Sequence, residues 1–244
     1  MQVPGRGYSA EVSSSAAAGS SRLARALAAV PGTAVGAALG VGFGLAARVR
    51  RNKPLHPAGQ VGTARLDVTA AAPGLGIPLL AVAGRHDCLV RWSRSAGVPS
   101  PLPDVEGFAL RILDAGEGRP ADLLFASSGE GPITRHLLLL RGPRRHGPMS
   151  TLLPVVGAPG ALVFLVEPLD DEDPPLRWRL SIAPGGGSDW HRLGTITVTW
   201  GSDEAVRFDP VLNLLSGTGQ YPVVRVLREP AYARARSGTE ARPE

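Results

Sequence analysis

Near the end of the chain the run LREPAY (227–232) sets Arg228 four residues before Tyr232, in a sequence with only three tyrosines. On a helix these two positions share a face. A guanidinium held against a phenol, whose ordinary pKa is about 10, favours its anionic form. The spacing can therefore make a phenolate. The plain alternative is a tyrosine packing its ring at a domain edge beside solvent-facing arginines, since Arg234 and Arg236 follow. Familiar chemical signatures are missing: there is no GxSxG, no GxxxxGK[ST] and no HExxH. The five histidines show no metal-ligand spacing. His86 and Cys88 read as two strand residues on one face. Ser127-Ser128-Gly129 and Gly185-Gly186-Gly187 read as turn material. A single cysteine excludes an internal disulfide and a cysteine zinc site, and is compatible with a reducing compartment.

The elements that would position such groups are mostly strands. TARLDVT (63–69), CLVRWS (88–93), GFALRIL (107–113), LRWRLSIA (176–183) and LGTITVTW (193–200) show apolar–polar alternation or short β-branched runs. Gly, Pro and Asp turns separate them. Gly and Pro together exceed one-fifth of the 244 residues, which favours short elements over long helices. The pattern predicts a mainly antiparallel sheet closed as a barrel. Aromatics make up only 5%, so the core is expected to be Leu, Val, Ala and Ile. ITRHLLLL (133–140) suits a strand or a helix, and PLDDEDPP (168–175) reads as an exposed acidic loop.

Charge separates the chain into parts. Residues 1–53 carry seven bases and one acid, a net of +6, and the rest carries 19 bases and 20 acids, a net of −1. The folded part is thus nearly neutral, which argues against a nucleic-acid groove. Residues 1–21 read as a disordered leader. Residues 22–51 read as an Ala/Gly-rich segment whose run 26–47 holds no charge. Gly32, Gly36, Gly40 and Gly44 recur every fourth residue and form a smooth helical stripe where another helix can approach closely. Pro31 interrupts the run, so a membrane span, an interfacial helix and a helix packed on the barrel or on a second copy all remain open. If it spans, Arg48, Arg50, Arg51 and Lys53 leave the following domain in the cytoplasm. That domain covers 52–237, and 238–244 form a tail.

Five stretches in order, across about 53–236, resemble the haem catalase superfamily, including its small members with peroxidase-like or hydroperoxide-processing activity. LHPAGQVGTARLDV (55–68) is similar to the segment bearing the distal histidine, with His56, Gly59, Asp67 and Val68 at its marked positions. VRWS (90–93) resembles a Val-Arg-Phe-Ser strand. GFALR (107–111) resembles a Gly-Phe-Ala-Val-Lys strand, followed by the pair Asp122-Leu123. RFDP (207–210) and LREPAY resemble the end of the barrel and the proximal helix, where the tyrosine ligates haem iron.

The resemblance implies a β-rich α+β fold: a catalase-like antiparallel β-barrel with peripheral helices. It implies haem b on Tyr232, with Arg228 favouring the phenolate. It gives His56 the distal acid–base role and makes Ser93 the hydroxyl that orients its imidazole. Arg91 then pairs with a haem propionate, and Lys53 stands where a second such arginine is usual, a point charge in place of a bidentate fork. One departure is visible. The family places an asparagine after the Asp-Leu pair, and its amide helps hold peroxide. Here that position is Ala126, or Ser127 with a one-residue shift. Peroxidase-like turnover of hydrogen peroxide or an organic hydroperoxide, with an electron donor, is thus expected over efficient disproportionation. Two alternatives stay open: a haem-binding protein without turnover, and a degenerate barrel acting as a membrane-associated interaction module.

Overall fold

The structure of the protein is a computed structural model that describes residues 59–94, 102–187, 189–202 and 206–222. The leader, the glycine stripe and the tail lie outside the described residues, as do Lys53, His56, Arg228 and Tyr232.

The described residues form ten strands, β1 (Gly59–Val68), β2 (Gly84–Arg94), β3 (Glu106–Ile112), β4 (Ala121–Ser127), β5 (Met149–Ser150), β6 (Val155–Gly157), β7 (Gly160–Pro168), β8 (Arg177–Pro184), β9 (His191–Trp200) and β10 (Gly219–Gln220), with a one-turn helix α1 (Pro78–Ala81). All pairings are antiparallel, in the order β10-β6-β7-β5-β4-β3-β2-β1-β9-β8. β7 pairs with β8 as well. That last ladder closes a ring of eight strands, while β6 and β10 extend from the edge of β7. The expected closed antiparallel barrel is present.

Alternation explains the ring. In β3 the residues Glu106, Phe108, Leu110 and Ile112 are buried, and those between them face outward. β1, β2 and β4 send Leu66, Val90, Cys88, Leu123 and Phe125 inward in the same way. At the centre stand aromatics, despite their scarcity in the sequence. Phe108 packs on Trp178 with ring centroids 4.8 Å apart and on Phe125 at 6.1 Å. Trp178 Nε1 donates to the Pro175 carbonyl at 3.1 Å, so its one polar atom is satisfied inside. An eight-stranded barrel leaves just enough room for its own side chains. Here the buried side chains of the core fill that room.

The run 133–140 is neither strand nor helix. It makes a 3-10 turn at Thr134–His136 and then extends. Its Arg135 and His136 are buried and tie it to carbonyls. Arg135 donates to Gly131, Pro184 and Gly187, and its guanidinium lies 4.4 Å from the centroid of the Trp190 ring. His136 Nδ1 bonds the Leu152 carbonyl oxygen at 2.6 Å. The acidic loop is likewise partly structural: Asp170 caps the amides of Leu176 and Arg177 at 2.9 and 2.8 Å.

The ring is narrowest in hydrogen bonding on either side of β5, which pairs through two residues with β4 (Ala126–Ser150 and Ser127–Met149) and through two with β7. Hydroxyls reinforce this seam. Ser128 Oγ accepts from the Ser150 amide at 3.0 Å, Ser150 Oγ accepts from the Leu152 amide at 3.0 Å, and it donates to the Arg135 carbonyl. The Ser-Ser-Gly stretch read as turn material is thus the buried edge of the seam.

Candidate functional site

The cross-strand register assembles one outer row from four strands. Gly59 of β1 faces Ser93 of β2, Ser93 faces Gly107 of β3, and Gly107 faces Ala126 of β4. Paired residues point to the same side of a sheet. Since Phe108 and Phe125 point inward, this row points outward. The next outward row is Val61, Arg91, Ala109 and Leu124. Small residues therefore dominate a patch some four strands wide, with one hydroxyl and one guanidinium in its midst. The two rows form an outward-facing cradle of mostly small side chains.

Gly59 has a specific reason to lack a side chain. A Cβ there would lie 2.8 Å from the Trp92 carbonyl oxygen and 3.0 Å from Arg91 Nε. The Arg91 side chain thus runs beside the start of β1, three residues after His56. Ser93 is buried and sits across from Gly59. Burial lowers the pKa of the half-buried Arg91 guanidinium, yet arginine stays charged in proteins.

The two candidates after Asp122-Leu123, Ala126 and Ser127, point to opposite sides of β4. Ala126 is the residue on the outer row. Ser127 lies on the other side, fully buried, where its hydroxyl donates to the Leu139 carbonyl at 2.5 Å and accepts from the Glu106 amide at 3.2 Å. Its single proton is used within the fold. The residue facing the cradle is alanine, which has no donor.

Below the cradle the third outward row reads Thr63, Leu89, Arg111 and Asp122. Arg111 grips Asp122 with two bonds, Nε to Oδ1 at 2.7 Å and Nη2 to Oδ2 at 2.6 Å. The Asp122 hydrogen bond is the chief reason the Arg111 pKa is raised, against opposing burial. The stretch containing RFDP crosses the barrel over this pair. Arg111, Asp122 and Asp209 lie within the sequence stretches GFALR, Asp-Leu and RFDP, whose spacing alone does not bring them together.

At one end of the barrel a second polar group was not foreseen at all. His146 bonds the Glu106 carboxylate through Nδ1 at 2.8 Å and Asp173 through Nε2 at 3.2 Å. Trp92 stacks edge-on to its ring at 5.8 Å. Arg141 approaches Glu106 at 3.8 Å and donates to the carbonyls of Ser128 and Pro148. The signal was present in RRHGP and in the acidic loop, but nothing local joins residues 106, 146 and 173. Among the described residues no group of His, Cys, Asp and Glu is placed to hold a metal ion.

Solved structures similar to this chain are catalases. Catalase A from Saccharomyces cerevisiae superposes with a TM-score of 0.54 at 13% identity, covering 79% of this chain and 62% of that one. A fungal catalase gives 0.53 at 14%, covering 79% and 61%. The barrel is catalase-like. The chain spans about three-fifths of the length of these solved catalases. No family model and no curated protein matches the sequence. At such identity the likeness is one of fold.

Proposed function

We propose that the outer face of β1–β4 binds haem b and that the chain reacts with peroxide there, as a peroxidase-like protein more than an efficient catalase. The observation that carries this reading is the row Gly59–Ser93–Gly107–Ala126, with Arg91 beside it, on the outside of a catalase-like barrel. Its small residues suit a flat macrocycle, and its cation suits a carboxylate at the macrocycle's edge. Haem, when bound, supplies a ferric iron that coordinates peroxide and accepts its oxidising equivalents.

The chain's own residues do the rest. Tyr232 would ligate the iron as a phenolate, and Arg228, four residues before it in the sequence, would favour that anion. His56 accepts the proton of one peroxide oxygen and delivers it to the other, which departs as water or, from an organic hydroperoxide, as an alcohol. Ser93 orients the His56 imidazole. Arg91 and Lys53 hold propionates, the lysine as a point charge. Ala126 offers no hydrogen bond to peroxide. Disproportionation has to handle a second peroxide as reductant, and it suffers more from that loss than oxidation of an external donor does. A haem carrier without turnover is the runner-up, favoured by the same alanine.

The test is an absorption spectrum after expression with added haem. A Soret band with charge-transfer features of a ferric phenolate is expected, and Tyr232→Phe abolishes those features. A wild-type protein without a Soret band sinks the reading. Peroxide-dependent oxidation of a dye separates the peroxidase from the carrier.

A further inference from the structure

Residues 206–222 form a strap over the outside of the barrel, and its polar attachments converge on one buried carboxylate. The Asp122 side chain is fully enclosed. Besides both Arg111 bonds it accepts from the Asp209 amide at 2.6 Å and from Asn213 Nδ2 at 2.8 Å. The Asp122 amide in turn donates to the Asn213 carbonyl at 2.9 Å. Arg111 Nη2 also donates to the Arg207 carbonyl at 2.6 Å, and its guanidinium lies 5.4 Å from the centroid of the Phe208 ring. Three points of the strap, at 207, 209 and 213, thus attach to one ion pair.

Apolar burial does little for the strap. Leu215 enters the core, whereas Leu212 and Leu214 stay exposed. Its regular structure is confined to β10, which pairs through two residues with β6. A buried carboxylate with fixed, directional donors sets a position more sharply than one leucine does. The described part of the strap ends at Pro222, ten residues before Tyr232.

We infer that Arg111 and Asp122 are positioning residues: their ion pair fixes the strap against the barrel and so sets where the chain toward Tyr232 begins. This rests on the reading of Tyr232 as the haem ligand. Asp122→Asn keeps the size of the side chain but replaces one acceptor oxygen by a donor and removes the charge. Arg111→Lys, which keeps the charge and loses the fork, serves if the first variant does not fold.

Two measurements test it. In haem-free protein, hydrogen exchange at the amides of Asp209, Val211 and Asn213 should speed up by about tenfold or more in Asp122→Asn, with a smaller effect in Arg111→Lys. In haem-loaded protein at equal haem content, the phenolate charge-transfer band should weaken in the same order. Unchanged exchange overturns the clamp. Faster exchange with a wild-type band overturns its link to the iron ligand. A wild-type protein with no phenolate band is a different failure, that of the Tyr232 reading, and it is visible before any variant is made.

Discussion

His146 is held from two sides by carboxylates, Glu106 on Nδ1 and Asp173 on Nε2. Burial alone would push its pKa down. The hydrogen bond and charge of Glu106, aided by Asp173, more than offset burial and raise it. Arg144 at 3.2 Å from Asp173 and Arg141 near Glu106 are the cations facing the same group. A raised folded-state pKa stabilises the fold fully below the unfolded value of about 6.5, and that contribution is lost as pH rises through the folded value. The urea midpoint of the wild type, relative to His146→Gln, should therefore fall as pH rises above about 6.5. A constant difference between the two would show that His146 does not titrate with folding. Cys88 gives the opposite case. Burial pushes its pKa up to about 12, with Asp87 adding to the rise. The thiol should resist a maleimide at neutral pH in native protein and react at once in urea. Rapid labelling of the native chain would contradict its enclosure in β2. Neither behaviour follows from spacing. For Cys88 it depends on which face of β2 turns inward, and for His146 on loops distant in sequence.

At the scale of elements, legibility followed the period. β1, β3 and much of β9 alternate between core and outside, and β2 and β8 do so over part of their length, which their sequences show. β7 was not foreseen because Leu162 to Val166 are all buried, which erases the alternation. β5, β6 and β10 are two or three residues long, too short to carry a pattern. The β4–β5 seam illustrates what replaces pattern there, namely hydroxyls bonded to backbone. Ser150→Ala strips the Leu152 amide and the Arg135 carbonyl of a partner in a buried place. It should cost about 1–3 kcal/mol in urea-monitored stability. A change within experimental error would mean that the two-residue ladder suffices. The motif letters of the strap were legible, but their roles needed Asp122, Asp209 and Asn213 to be seen around one carboxylate.

For the whole molecule, the barrel interior is filled by its own side chains, Trp178, Phe108, Phe125 and Phe164 among them, and the proposed site lies on its outer face. Strand alternation predicted the barrel and composition its mostly aliphatic core, within which Phe108, Phe125, Phe164 and Trp178 supply much of the volume. Of the candidate site, the outer row could be read from the resemblance and is assembled by the register. Lys53, His56, Arg228 and Tyr232 lie outside the described residues. So does the glycine stripe, and no helix among the described residues is long and apolar enough to cross a membrane. If the stripe is a packing face, replacing Gly36 and Gly40 together by Leu should change the oligomeric state or the partition between membrane and soluble fractions. A double variant matching the wild type in both makes the segment a flexible leader.

Closing the ring joins Gly62 of β1 to Trp200 of β9. A chain emerging from the ribosome exposes β1, β2, β3 and β4 long before β9, the second partner of β1, exists. During that interval the free edge of β1 carries unpaired amides and carbonyls beside an apolar inner face, the combination that recruits stray strands. The barrel can close only after residue 200 has cleared the exit tunnel. Chains halted earlier should therefore be open sheets, sensitive to protease and dependent on chaperones, and resistance should arise abruptly with release of β9. High contact order makes that last step slow even in the free protein.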